Sequence, residues 1–540
     1  MKTRFGALTF AALLTACQPH AAQTPAALDW APFGPIAEGA TAPLHLNVQL
    51  LAKPGGPTLK TVDNQTDWLD GSKKVRIAAI VRGDGLDATA PNAVFAIRGH
   101  STRLAKQKSY GLKLKKHARW RGVRQINLNK CPYDLTRMRD KLTFDLLAGL
   151  PELPSLDTHF VALTLNGQDA GLFTQLEEPD KRYLKAHKLD PHGNLYKAER
   201  FDFNREPEVF KNSTDAGYDK VRFERELAIH GSKDHAALIA MLGDVNNPDT
   251  PIDQVIDQDF DRRNYVSWLA VNILLQNLDT NEQNFYLYRA KDSPHWRFLP
   301  WDYDGAWGWY DQPGAMAKTD PNYPARWQRA GVANWWGVPL HRRFLENPAD
   351  LAELTARVDT LATKFFTRER LAALIDSYTP AVQAELAHAP DLGGLPATGD
   401  AIAAWKHEVA RLYTIVPQQQ KRYHETLSWP MPFFLGQLQS LGNNRTFSWD
   451  ASYSLVGDSI SYDFALSRTP RFARADLILE KDGLTGTSLS LTTSLTSGDT
   501  YYWRVIARDA TDPTHKWEIA FDKLSEDGQA YPGVGEFSVP

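Results

Sequence analysis

The stretch "QNLDTNEQNFYLYR" (residues 276–289) is followed six residues later by "WRFLPWDYDGAWG" (residues 296–308). "FYLYRA" and "HWRFLP" have the length and the aromatic content of short strands. Together they predict a hairpin that returns the chain and delivers Asp302 beside Asp279 and Asn284, which lie five residues apart. Asp302 and Asp304 are set among Trp301, Tyr303 and Trp307. Carboxylates in such apolar surroundings are costly to bury without a partner, so a compensating group is expected, with a metal ion as the leading candidate. A calcium loop of the EF-hand type does not fit, because it needs glycine at the sixth position and Gly305 is fourth from Asp302.

Asp279 and Asn284 have the D-x-x-x-x-N spacing of the protein-kinase catalytic loop, in which the aspartate accepts the acceptor hydroxyl's proton and the asparagine holds a metal ion. The same spacing alone also describes a helix end followed by a solvated loop. The two carboxylates beside Trp301, Tyr303 and Trp307 separate the readings, since they are hard to explain as surface decoration, and kinases likewise place a metal-binding aspartate at the end of a hairpin after the catalytic loop. The expected geometry is that of phosphoryl transfer.

Outward from this stretch the pattern changes twice. Residues 45–190 read mostly as strands: "LHLNVQLLA", "KKVRIAAIV", "AVFAIRG", "KSYGLKLKK" and "RQINLNK" precede one helix, "DLTRMRDKLTFDLLAGL", capped by Asp134. Two more strands, "FVALTLNG" and "GLFTQLEE", turn at Asn166-Gly167. Residues 191–435 turn helical, and residues 440–540 carry short strands at sandwich spacing with Trp449 and Tyr502 as core candidates. The fold class is α+β: a two-lobed enzyme with a β-rich lobe, a helical lobe and a cleft between them, then a small all-β sandwich resembling a fibronectin type III module. At 540 residues the chain is too long for one core, and 43% hydrophobic with 23% charged residues is ordinary globular composition. A net charge of -3 supplies no field for a nucleic-acid backbone, which makes nucleic acid a poor partner.

The N-terminus has Lys2 and Arg4 before an apolar run, Phe5 to Ala16, too short to span a bilayer. It reads as an export signal over residues 1–17, and Leu14-Thr15-Ala16-Cys17 resembles the lipobox of bacterial lipoproteins, in which the cysteine carries lipid. Residues 18–44 would be a tether holding the protein to the cell envelope. With Cys17 lipidated, Cys131 is alone and reads as a small buried residue.

"IRGHSTRLAKQKSYGLKL", "LTLNGQDAGLFTQLEE", "NLYKAE", "NYVSWLAVNILLQNLDTNEQNFYLYR" and "FLPWDYDGAWG", in that order, resemble the CotH kinase family, atypical kinases named for a spore-coat protein. The resemblance covers about residues 45–430 and implies a distant protein-kinase-like fold, with ATP and Mg²⁺ or Mn²⁺ as cofactors and a protein side chain as acceptor. It makes Asp279 the catalytic aspartate and Asp302 the metal ligand, with Asn284 and Asp304 beside it. Arg98, Gly99 and Ser101 would form a turn over the phosphates, with Lys108 reaching them as a point charge. Many members carry two adjacent lysines before Ser-Tyr, whereas Gln107 stands between Lys106 and Lys108. Glu177 and Glu178 fall at the hinge position, and Lys197 could pair with a carboxylate or touch phosphate.

Two other classes fit parts of the chain. A non-catalytic kinase-like scaffold for adhesion or envelope assembly would use the C-terminal module to bind, yet would not need three metal-site groups at functional spacing. A glycan hydrolase using Asp302 and Asp304 has no further support, since carboxylates two apart on an irregular loop need not face one bond.

Overall fold

The computed structural model describes residues 30–37, 42–66, 74–313, 331–492, 494–526 and 529–539. Cys17 and the apolar run before it lie outside these. Among the described residues no helix is long and apolar enough to cross a membrane.

Seven strands, β1 (Leu44–Leu50), β2 (Ile77–Arg82), β3 (Ala93–Arg98), β4 (Ser109–Leu114), β5 (Gln125–Asn129), β6 (Thr158–Leu165) and β7 (Gln168–Leu176), close into a barrel in the order β1-β2-β3-β4-β5-β7-β6. The closing pair, β1 with β6, is parallel. The strands after the helix Arg139–Leu147 are therefore part of the same sheet as those before it. Alternation sends Leu46, Val48, Phe95, Ile97, Leu112, Ile126, Val161 and Phe173 into one core. Asn166 and Gly167 both take positive φ, +54° and +78°, as the tight β6–β7 turn requires.

The expected helix starts later than the Asp134 cap suggested, spanning Arg139–Leu147. Arg137 sits at φ +58°, which no helix accommodates, and Asp134 spends its side chain on the Thr136 and Arg139 amides instead. Every residue of this helix is buried, between β6 and the helix Arg368–Leu386.

A second sheet, β8 (Asn194–Ala198), β9 (Leu227–Ile229), β10 (Phe285–Arg289) and β11 (Trp296–Pro300), runs in the order β11-β10-β8-β9. It backs onto the helix Arg262–Leu274, which is buried without interruption from Asn264 to Leu274. The helices Pro348–Thr360 and Ala401–Thr426 pack on that central helix. Residues 30–37, expected as part of a free tether, lie against this body. Gly34 N–H donates to Gly149 O at 2.9 Å, Ala37 N–H to Asp145 O at 2.9 Å, and the Arg357 guanidinium stacks 3.9 Å from the Trp30 ring.

The C-terminal unit is all β. Strands β12 (Gln439–Leu441), β13 (Asn444–Ser448) and β16 (Ser488–Thr492) form one sheet, while β14 (Ile460–Ser467), β15 (Leu477–Leu484), β17 (Thr500–Asp509), β18 (Trp517–Ile519) and β21 (Val534–Ser538) form a second. A short hairpin, β19 (Lys523–Glu526) with β20 (Gln529–Pro532), forms a separate two-stranded sheet. The two sheets share a core of Phe447, Trp449, Phe464 and Trp503. Trp449 is where the sequence suggested. Tyr502 is not: strand period puts Tyr501, Trp503 and Val505 on the inner face and turns Tyr502 to a separate cluster with Phe472 and Tyr531.

Candidate active site

The central helix ends at Leu274, and Gln276, at φ +51°, turns the chain out of it. A 3₁₀ turn, Leu278–Thr280, then presents Asp279, held by Thr280 Oγ1 donating to Asn277 O and by Asn334 Nδ2 donating to Leu278 O. Asp279 accepts from Gln283 Nε2 at 2.6 Å and from Asn284 Nδ2 at 2.8 Å, so the fivefold spacing closes on itself. Asn284 enters β10 at φ +60°. The predicted hairpin forms, with Phe285 opposite Pro300, which places Asp302 just past the end of β11 and beside the start of β10. A Cβ on Gly305 would lie 3.9 Å from the Asp279 Cβ, so the acidic turn packs on the aspartate it was expected to join. Gln276, Asn284, Asp302 and Trp307 all hold left-handed φ, between +51° and +60°. Such backbone costs of order 1 kcal/mol or more per residue and clusters at functional loops.

The electrostatics follow from burial. Burial first, then the Asp302 charge, pushes the Asp279 carboxyl up to about 6, against the hydrogen bonds from Gln283 and Asn284. Burial and the charges of Asp302 and Asp140 hold the Asp304 carboxyl well above the usual range. Asp140 is the residue that sequence reasoning missed. It is 1% exposed, accepts from Tyr303 N–H at 2.8 Å between the two hairpin-borne carboxylates, and is pushed up to about 7 by burial and then by Asp302. In the sequence it reads as an ordinary acid in a helix's first turn, and nothing local marks it.

Among the described residues, none of Asp140, Asp279, Asp302 and Asp304 makes an ion pair with lysine or arginine, and no group of three or more His, Cys, Asp and Glu is arranged to hold a metal ion. The donors are all oxygen. A dedicated protein cage is thus absent among them, whereas hard-ion binding through one or two carboxylates plus phosphate oxygens fits the set.

A basic rim belongs to the barrel end. Arg98 closes β3, Gly99 turns at φ +86° where a Cβ would meet Thr102 Oγ1 at 2.0 Å, and the 3₁₀ turn Ser101–Leu104 follows with Ser101 exposed. Arg103 Nε donates to Gly99 O at 2.7 Å, and Lys108 Nζ donates to Arg103 O at 2.5 Å. Lys108 thus braces the turn from within. Lys197 on β8 pairs with Glu199 at 2.8 Å, and Glu199 lies 3.6 Å from His100. Glu177 is buried and turns to Arg182 and the Asp157 amide. Its neighbour Glu178 accepts from Asn127 Nδ2 at 2.7 Å and faces Lys74, another residue missed in the sequence. Although much of Lys74 is open to solvent, partial burial and then Arg103, Arg98 and Lys197 lower its ammonium to about 8. The structure therefore gathers Arg98, Arg103, Lys197 and Glu178 around Lys74, and sets Glu177 aside. His100 feels both Glu199 and Asp302, so the rim and the acidic turn share one field. A cavity of about 540 Å³ between Leu351, Leu427 and Tyr453 touches none of these residues.

A buried aspartate that closes on an asparagine five residues on, beside a hairpin-borne acidic turn, is an arrangement similar to that of kinases. The chain belongs to the CotH kinase family: the profile described as CotH kinase protein matches residues 95–423. It is 30% identical over 221 residues to the inner spore coat protein H of Bacillus subtilis (strain 168), covering 39% of this chain and 58% of that relative's length. Similar solved structures include the Helicobacter pylori proinflammatory kinase CtkA (11% identity, TM-score 0.23, 59% of this chain and 94% of that one). The HipA–HipB toxin–antitoxin complex with its operator DNA from Shewanella oneidensis MR-1 is another (11% identity, TM-score 0.27, 70% and 73%).

Proposed function

We propose that this protein transfers the γ-phosphoryl group of ATP to a hydroxyl of a protein acceptor, with the barrel as N-lobe and the helical body as C-lobe of a two-lobed kinase fold. The observation that carries the reading is the closure of Asp279 onto Asn284 with Asp302 returned beside them. Asp279 holds the acceptor hydroxyl, with Gln283 and Asn284 fixing the carboxylate's orientation. As the acceptor oxygen bonds to the γ-phosphorus, the bond to the bridging oxygen breaks, the hydroxyl proton passes to Asp279, and ADP leaves. Asn284 and Asp302, supported by Asp304, would hold Mg²⁺ or Mn²⁺, which when bound neutralises charge on the transferring phosphates. Arg98, Lys74 and Lys197 meet phosphate oxygens, Ser101 offers its exposed hydroxyl from the same turn, and Lys108 keeps that turn in shape. The backbone after β7, at Glu177 and Glu178, is the adenine edge.

The proposal extends to place and assembly: export, anchoring through lipidated Cys17 in the cell envelope, and a fibronectin type III-like accessory role for residues 440–540. A titration of ATP with and without Mn²⁺, paired with labelled-phosphate transfer to a mixture of envelope proteins, tests the central claim. Binding that requires the metal ion, together with transfer, is expected. Wild-type protein that binds no nucleotide under either condition would overturn it in favour of a non-catalytic scaffold.

A further inference from the structure

Gln107 interrupts the lysine pair expected before β4, and the structure gives it a task that no lysine could perform. Its Nε2 donates to Pro390 O and to Asp391 Oδ1, both at 3.2 Å, while its Oε1 accepts from Arg137 Nη2 at 2.7 Å. Pro390 and Asp391 belong to the crossover between the helices Arg368–Leu386 and Ala401–Thr426, which leaves the helical body and reaches the barrel. Asp391 is fully committed there. Oδ1 pairs with Lys130 Nζ at 2.6 Å with both side chains buried, and Oδ2 accepts Leu172 N–H at 2.6 Å. Arg137 completes the set by donating to Gly394 O at 3.1 Å and Cys131 O at 2.8 Å.

Two glycines show that the fit is made for these side chains. A Cβ on Gly171 would stand 2.2 Å from Asp391 Oδ2, and one on Gly394 would stand 2.2 Å from Gln107 Cδ. The clasp therefore joins three barrel segments, the 99–108 turn, the end of β5 and the start of β7, to one crossover of the helical body. An amide with one donor edge and one acceptor edge is the group that can bridge a carboxylate and a guanidinium at once; an ammonium has no acceptor for Arg137.

We infer that Gln107 and Asp391 are positioning residues that clasp the phosphate-side turn, residues 99–108, to the helical body and so fix its distance from Asp279 and Asp302. This rests on the kinase reading for what the turn holds, while the clasp itself stands on geometry. Neither residue touches substrate. They act through the turn that carries Ser101 and Arg103 and through Lys108, the residue next to Gln107.

The test uses Gln107→Ala and Gln107→Lys in the full chain, because removing Asp391 would leave Lys130 buried without its partner and endanger folding. Two quantities are read: amide exchange at Arg103 and Ala105, whose N–H groups close the 3₁₀ turn, and ATP affinity with Mn²⁺. Both variants are expected to exchange about tenfold faster at these amides and to bind ATP several-fold more weakly, as loss of about one hydrogen-bonded contact implies. A purely structural Gln107 would lower the melting temperature while leaving turn exchange and ATP affinity unchanged, and that result overturns the inference. If wild-type protein binds no ATP, the kinase reading falls, and the exchange measurement alone still decides whether the clasp holds the turn.

Discussion

The acidic turn and the ring of ion pairs just behind it treat buried carboxylates in opposite ways. Asp134 and Glu408 share Arg139, Glu408 also binds Arg411 at 2.6 Å, Asp145 takes Lys141 at 2.7 Å, and Asp391 takes Lys130. A few residues away, Asp140, Asp302 and Asp304 face one another with no lysine or arginine partner among the described residues. Within one protein the sequence supplies counter-charges to one set of buried acids and withholds them from another, the set that the proposed function assigns to a cation from solution. Buried acids are therefore not one class here, and the contrast locates the site as firmly as any motif does.

Four experiments would break or sharpen that contrast. Asp302→Ala should remove most metal-dependent ATP affinity along with transfer, whereas Asp279→Asn should keep the affinity and lose about 10²- to 10⁴-fold in turnover, read by calorimetry and a transfer assay. Equal loss of affinity in both would mean that the acids do not divide their tasks as assigned. On the paired side, Arg139→Met strands Asp134 in the core and leaves Glu408 with Arg411 alone, and is expected to cost about 3–5 kcal/mol in denaturant unfolding. A cost below 1 kcal/mol would erase the distinction between the two sets.

His341 offers a third way to manage a buried ionisable group: it stays neutral. Among the described residues it has no acidic partner; it stacks on Tyr265 and is lowered by burial to about 3. A histidine whose folded pKa lies below its unfolded value of about 6.5 takes up its proton mainly on unfolding, so stability falls as pH drops through the window from about 6.5 to 3. From pH 7 to pH 5 the loss should be about 2 kcal/mol, and it should shrink in His341→Phe. An unchanged pH slope in that variant would contradict the assignment.

The smallest effect is the most discriminating. Asp140 is raised to about 7, the reverse of a paired acid, so its ionised form destabilises the folded chain above that pH, and the penalty fades as pH falls towards the ordinary carboxyl range. Asp140→Asn keeps an acceptor for the Tyr303 N–H and removes one like charge. In chelator at pH 8 it should stabilise the protein by about 1 kcal/mol, a gain that disappears at pH 5 or on adding Mn²⁺. Destabilisation in chelator would place Asp140 with the structural acids.

The parts of the site that were legible in the sequence are those built from neighbours. Asp279, Asn284 and Asp302 lie within one turn and one hairpin, and strand period with turn length is enough to bring them together. Asp140 reaches Tyr303 from 163 positions away. No periodicity encodes that contact, and the same holds for Lys74 beside Glu178. The barrel shows the same limit: its strands were readable singly, but closure depends on β1 finding β6 across more than a hundred residues. Helix ends were misplaced where one backbone angle decided them, as at Arg137.

The docked residues 30–37 set a length scale for the whole assembly. With Trp30 pinned on Arg357, only the dozen residues 18–29 would separate the body from a lipid at Cys17. Even drawn out fully, they span about 40 Å, since an extended chain covers about 3.3–3.6 Å per residue. That is a short leash. On the proposed anchoring, a protein so tied would sweep only a shallow layer above its own bilayer.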